Sequence, residues 1–143
     1  MADEPQRAVE HLKLVQGVVT RMAGNSAQMK TWAVSLVTAA FVFSGLSDDP
    51  HWLIALGGCI PVMAFWTMDA KYLQLERCYV KLYEAVVKGA SVKPFELDYR
   101  PYVSTVGSVW SIAWSWSVCR FYGALLVVML ALLGILGTNG DME

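Results

Sequence analysis

Two apolar segments separated by a short acidic turn constrain the fold of this chain more than any other feature. They cover residues 31–46 (TWAVSLVTAAFVFSGL) and 52–68 (WLIALGGCIPVMAFWTM), and neither contains Asp, Glu, Lys, Arg or His. A third charge-free segment covers residues 121–137. Each approaches the roughly 17–25 residues that a helix needs to span a membrane. With 56% hydrophobic residues in the chain, this pattern predicts an all-α membrane protein with three transmembrane helices, of which residues 31–69 form a hairpin.

The basic residues indicate how such a protein is oriented. All eleven Lys and Arg residues lie within 1–30 and 70–120, whereas the turn at 47–51 and the tail at 138–143 contain none. Basic segments are retained on the cytoplasmic side of a membrane. We therefore predict that the amino terminus and residues 70–120 are cytoplasmic, and that the hairpin turn and the carboxyl terminus are external.

Helical extensions are predicted on the cytoplasmic side of the hairpin. Residues 1–30 have apolar side chains at intervals of three and four, which is typical of an amphipathic helix that leads into the first span. Residues 70–107 contain a second helix to about Lys88, followed by a connector with Gly and Pro. The first helix either packs against the second within one chain, or projects as a stalk that associates with copies of itself.

Small and polar residues along the hairpin are candidates for helix packing, because small side chains let helix backbones approach closely in lipid. Asp69, at the cytoplasmic end of the second span, is predicted to meet Lys30 or Arg21 across the hairpin. The candidate packing and oligomer-contact residues are Arg21, Asn25, Ser26, Ala33, Ser35, Ala39, Asp69, Tyr72 and Tyr79.

Tryptophans mark the predicted membrane boundaries, where their amphipathic rings are enriched. Residues 108–120 (SVWSIAWSWSVCR) interleave Trp and Ser just before the third span, which predicts a helix lying in the cytoplasmic interface. Arg120 is the only basic residue in this segment, so nucleic-acid binding is not expected. The predicted interfacial anchors are Trp32, Trp52, Trp66, Trp110, Trp114 and Trp116.

The second span contains residues that weaken a helix. Gly57, Gly58 and Pro61 lie near its middle, and proline removes a backbone hydrogen-bond donor and usually kinks a helix. These residues predict either a kink used in packing or a hinge used in gating.

Catalytic and cofactor signatures are not evident in the sequence. His11 and His51 are predicted to lie on opposite sides of the membrane, and Cys59, Cys78 and Cys119 lack the spacing of a metal site. We therefore expect no enzymatic activity and no cofactor.

Three sequence motifs carry a resemblance to known proteins. Residues 10–16 (EHLKLVQ), 21–26 (RMAGNS) and 65–73 (FWTMDAKYL) resemble a widespread family of small uncharacterised bacterial inner-membrane proteins, over roughly the first 90 residues. The arrangement is more loosely similar to RipA-type octameric membrane proteins and to the membrane accessory protein of an RNA-targeting CRISPR system. The resemblance implies a ring-shaped homo-oligomer, and in the CRISPR case a pore that depolarises the membrane during phage defence.

Two functional hypotheses follow from these expectations. One is an oligomeric inner-membrane effector whose pore is either lined by residues such as Ser35, Thr38 and Ser44 or closed by a hydrophobic gate that opens by wetting. The other is a non-conducting membrane anchor that recruits a soluble partner through its cytoplasmic helices. The expected partners are thus the lipid bilayer, further copies of this chain and, in the second case, a soluble cytoplasmic protein.

Overall fold

The described part of the chain consists of helices and their connections, with no strand among the described residues, in a computed structural model that describes residues 3–47, 52–90, 92–93 and 95–140. The acidic turn at Asp48, Asp49, Pro50 and His51, and the end of the tail at residues 141–143, lie outside the described residues. The elements are α1 (Asp3–Leu46), α2 (Leu53–Val87), a 3₁₀ turn (Arg100–Tyr102), α3 (Val103–Val106), α4 (Val109–Ala113) and α5 (Trp116–Gly140).

Helix α1 is a single unbroken helix of 44 residues, about 66 Å long at a rise of 1.5 Å per residue. It joins the predicted cytoplasmic segment and the first apolar segment without a bend at Gly24. Its buried side chains include Val15, Ser26 and Val37, which are eleven residues apart. An 11-residue repeat corresponds to 3.67 residues per turn, so this stripe stays on one side of the helix. Val9 lies outside this stripe and is 46% exposed, so the apolar pattern predicted for residues 1–30 does not bury all of its members.

Helix α2 runs antiparallel to α1 along most of its own length, and the two form the long hairpin that the sequence predicts. Buried alanines lie on both helices, including Ala33 and Ala40 on α1 and Ala55 and Ala70 on α2. Their small side chains let the backbones approach closely. Pro61 lies inside α2, and the helix continues through it.

Helix α5 packs mainly on α2 and completes a single apolar core with α1 and α4. Gly58 is the point of closest approach: a side chain there would collide with the methyl group of Met129 on α5 and would lie 3.7 Å from the Cβ of Ala40. The missing side chain at Gly58 therefore makes room for a third helix.

The segment before α5 differs from its prediction. Residues 108–120 do not form one interfacial helix, because α4 ends at Ala113 and α5 begins at Trp116. The Ser108 hydroxyl caps α4 by accepting a hydrogen bond from the Ser111 amide, and the chain turns at residues 114–115. Residues 116–120 therefore extend the third long helix at its amino-terminal end.

Three of the helices, α1, α2 and α5, are long and apolar enough to cross a membrane, by length and composition. In each, only 22% of the most apolar 18-residue window is buried inside the chain. Most of that apolar surface therefore faces outward.

Candidate functional site

An ion pair joins the two helices of the hairpin where the second apolar segment ends. Asp69 on α2 is completely buried, and its Oδ2 lies 2.6 Å from the Nζ of Lys30 on α1. The Ser26 hydroxyl donates a hydrogen bond to the other carboxylate oxygen and accepts one from Lys30 at 3.1 Å. Ser26 and Lys30 are four residues apart, so they lie one above the other on the same face of α1.

This polar cluster fixes the register of α1 against α2. A buried carboxylate without a cation is costly, because the interior of a protein cannot replace the water that the charge loses. Sliding α1 by one residue would turn Lys30 away from Asp69. On α5, Tyr122 is completely buried and interacts electrostatically with Asp69.

An aromatic group next to the ion pair connects α2 to α4 and α5. The indole N–H of Trp66 donates a hydrogen bond to the Ala113 carbonyl at 3.0 Å. Its ring stacks on Tyr122, with centroids 6.1 Å apart and planes 6° apart, and meets Trp114 edge-on at 5.5 Å. Trp66 was predicted as an interfacial anchor, but its ring is buried between three helices and makes its contacts within the chain.

The other predicted anchors have exposed rings. On the segment that leads into α5, three tryptophans are at least 68% exposed, and the Arg120 guanidinium lies 4.4 Å from the centroid of the Trp116 ring. Their positions are compatible with a membrane boundary. The exposed anchors are Trp32, Trp52, Trp110, Trp114 and Trp116.

The connector after α2 is held against the half of the hairpin that contains the start of α1 and the end of α2. His11 on α1 is buried, and its Nε2 donates a hydrogen bond to the Glu96 carbonyl at 2.8 Å. Tyr79 on α2 contacts the Tyr99 ring, and its burial raises the pKa of the Tyr79 phenol. The contact of His11 could not be predicted from the sequence, because its partner is a backbone carbonyl 85 residues away.

The other packing candidates occupy different environments. Ala33 is completely buried between the helices, whereas Ala39, Asn25 and Tyr72 are half-buried. Arg21 is exposed, and its charge acts on Tyr79 rather than on Asp69.

The outer face of α1 carries a row of exposed small residues, interrupted by the exposed Val42, which we call the small-residue stripe. It lies opposite the buried stripe, and a Cβ placed at Gly17, Gly24 or Gly45 would meet no neighbouring atom within 4 Å. The length of this row was not predicted, although its spacing of mostly three and four residues is visible in the sequence. The exposed members are Gly17, Thr20, Gly24, Ala27, Thr31, Ser35, Thr38 and Gly45.

The three predicted pore-lining residues do not share one face. Ser35 and Thr38 are exposed on the small-residue stripe, whereas Ser44 is buried between the helices. Ser44 follows Ser35 by nine residues, which is two and a half helical turns at 3.6 residues per turn. Ser44 therefore cannot line an outer surface together with Ser35, and its hydroxyl has no hydrogen-bond partner among the described residues.

Metal-binding and thiol chemistry have little support from the geometry. Within the described ranges, no group of three or more His, Cys, Asp or Glu residues is placed to hold a metal ion. Cys59, Cys78 and Cys119 are free thiols.

Comparison with known proteins gives no assignment: no protein-family model, curated protein or solved structure matches the chain. The function has to be inferred from the contacts and the exposed surfaces of the chain itself.

Proposed function

We propose that this chain is an oligomeric effector of the bacterial inner membrane, in which several copies form a ring and the ring opens a path for ions. The observation that carries this proposal is the small-residue stripe, which places exposed hydroxyls on the uncovered face of α1.

Membrane insertion is supported by the large apolar side chains that face outward. Phe43 on α1, Ile60 on α2 and Val127 on α5 are 65%, 71% and 66% exposed. Apolar surface left in water costs roughly 25 cal/mol per Å², and a lipid environment removes that cost. The distribution of Lys and Arg supports a cytoplasmic amino terminus and an external carboxyl terminus.

Assembly is supported by the open space along the small-residue stripe. Helices in lipid associate mainly through close packing, which small residues permit. Three spans are too few to enclose a conduit, but rotational symmetry can build one from several copies. The open glycines, such as Gly24 and Gly45, would allow a helix of a second copy to approach α1 closely.

A conduit is supported by the hydroxyl groups on the same stripe. Thr31 and Ser35 donate hydrogen bonds to carbonyls one turn earlier in α1, at 3.2 and 2.9 Å. Their oxygens can still accept hydrogen bonds from water. Together with Thr38, they provide the polar surface that a water-filled path through an assembly needs.

The second candidate is a non-conducting anchor for a soluble partner. It is favoured by a groove between the cytoplasmic parts of α1 and α2, where Val9 and Leu12 lie beside Lys13, Gln16 and Tyr83. Such a groove, with apolar and polar lining, suits a helix from another protein.

Ion flux from liposomes separates the two candidates. The full-length chain, reconstituted at known density, should release a trapped monovalent ion, and Thr38→Leu should reduce the release by making the path apolar. Thr67→Leu is the matched control, because Thr67 is an exposed hydroxyl on α2 that lies off the stripe. An assembled ring that releases no ion would contradict the effector and favour the anchor.

A further inference from the structure

A groove lies between α1 and the start of α5, beside the buried ion pair. Its lining consists of Lys30, Thr31, Val34 and Ser35 from α1 and Phe121 from α5. One end is therefore cationic and hydroxylated, and the walls are apolar. This combination distinguishes the groove from the large apolar side chains that face outward on the three long helices.

Lys30 has hydrogen-bonding capacity left for a ligand. An ammonium group has three N–H donors, and the described structure uses two of them, for Asp69 at 2.6 Å and for Ser26 at 3.1 Å. The Lys30 side chain is 30% exposed, whereas Asp69 is completely covered behind it. An anion in the groove would therefore meet the ammonium group before it met the carboxylate.

A second cation directly precedes the lining residue Phe121 in the sequence. This cation, Arg120 of α5, is exposed, with its guanidinium over the Trp116 ring. Both cations fall on the side of the helices that the charge distribution assigns to the cytoplasm. The charge of this region complements an anionic group at the surface of the cytoplasmic leaflet.

The apolar walls continue from the cationic end along the helices. Val34 lies one turn after Lys30 on the same side of α1 and remains 43% exposed, and Phe121 faces it from α5. A molecule with an anionic head and an apolar tail would satisfy both ends, whereas a free anion would leave the walls uncovered.

We propose that this groove binds one anionic phospholipid of the cytoplasmic leaflet, with its phosphate on Lys30 and an acyl chain against Val34 and Phe121. The inference rests on the membrane insertion in the proposed function, but not on ring formation or conduction. The bound lipid fills the space between the hairpin and the third long helix.

Native mass spectrometry of the full chain tests this site directly. The protein is released from nanodiscs of equal phosphatidylglycerol and phosphatidylcholine content, and the lipids that remain bound are counted per subunit. The wild type should retain one phosphatidylglycerol per subunit. Val34→Trp fills the groove without touching the ion pair and should reduce this retention about tenfold. Leu36→Trp is the matched control, because Leu36 is exposed on another side of α1.

A second variant tests the charge rather than the shape of the site. Arg120→Gln should lower the preference for phosphatidylglycerol about fivefold, since a basic residue near a membrane surface attracts anionic lipid. This substitution is on an exposed position, so it should not disturb the fold.

The same spectra separate the lipid site from the proposed assembly. Loss of lipid in Val34→Trp at an unchanged subunit number supports the site. If Val34→Trp retains as much lipid as the wild type, the lipid site is overturned. It is also overturned if Leu36→Trp loses as much lipid as Val34→Trp. If Val34→Trp changes the number of subunits together with the lipid content, the groove is an interface between copies of the chain, and the lipid site is overturned. A wild type that carries lipid as a monomer contradicts the ring alone.

Discussion

Lys30 and Asp69 meet across the hairpin, with Nζ and Oδ2 2.6 Å apart, and they are the charged residues that tie α1 to α2 beside the apolar core. Asp69 is completely buried, and Lys30 keeps part of its side chain exposed. The pair therefore sets the helix register and leaves the cation accessible from one side.

Removal of Lys30 should destabilise the hairpin strongly. Lys30→Met leaves a buried carboxylate without a cation, and we expect a loss of about 3 kcal/mol in the free energy of unfolding. Reversible unfolding in detergent micelles, followed by circular dichroism, measures the change. The double variant Lys30→Met with Asp69→Leu should recover most of the loss, because it removes the unpaired charge as well.

An exposed ion pair supplies the control for this prediction. Lys81 and Glu84 on α2 lie 3.0 Å apart, but both side chains are more than 40% exposed. Lys81→Met should leave unfolding unchanged, since exposed pairs contribute little. A double variant at 30 and 69 that is no more stable than Lys30→Met would contradict the role given to the buried pair.

The hydrogen bond of Trp66 should contribute to stability separately from its ring. Trp66→Phe keeps an aromatic ring between Trp114 and Tyr122 but leaves the buried Ala113 carbonyl without its donor, and should cost about 1–2 kcal/mol. Thermal unfolding in micelles measures this cost. Trp110→Phe is the control, because Trp110 is exposed and should not change the melting temperature. Equal effects at the two positions would argue against the buried contact.

Valine substitutions at Gly57 and Gly58 distinguish the two roles predicted for this part of α2, a packing contact and a gating hinge. Both are in α2 and would gain the same helix propensity from valine, but only the position of Gly58 is filled by Met129. Gly58→Val should therefore be less stable than Gly57→Val by about 1–2 kcal/mol, the usual cost of overpacking. Chemical unfolding of the two variants gives the difference. If ion flux changes in Gly58→Val while stability does not, a gating hinge is the better description.

Cys78 should respond to pH in a direction set by its burial. Burial raises the pKa of its thiol above the ordinary value of 9.0, and the charge of Lys71 offsets part of this shift. The folded state therefore favours the protonated thiol, and this contribution to stability is complete below pH 9.0 and is lost as the pH rises through the higher folded pKa.

The rate of alkylation measures this shift. In a variant with Cys59→Ser and Cys119→Ser, the pH midpoint for reaction with N-ethylmaleimide should lie above 9.0 in the folded protein and return to about that value in the unfolded one. A folded midpoint at or below the unfolded one would contradict the buried environment of Cys78.

The hairpin could be predicted from the sequence because two charge-free segments and a five-residue turn leave few alternatives. A contact of Asp69 with Lys30 or Arg21 could also be predicted, since these residues lie at the same end of adjacent segments, but the choice of Lys30 could not. The burial of Trp66 could not, because it depends on α4 folding back over α2. The chain turns back toward α2 after Gly107, whose φ of 97° lies in the region that favours glycine. A tryptophan at the end of an apolar segment fits either environment.

For the candidate pore residues, one feature could be predicted from the sequence and another could not. The separation of Ser44 from Ser35 follows from helical periodicity alone, whereas the exposure of Ser35 and Thr38 depends on where α5 packs. Because α5 lies mainly on α2, the outer face of α1 stays open. The order of the three long helices around the core is not encoded in any one of them.

The mass of the complex in lipid nanodiscs, determined for the wild type and two leucine variants, tests whether copies of the chain assemble through α1. We expect a closed multimer for the wild type and for Gly57→Leu, and a smaller species for Gly24→Leu. Both glycines are open in the subunit, but only Gly24 lies on the small-residue stripe. A monomeric wild type, or a Gly24→Leu variant with the mass of the wild type, would contradict assembly through α1.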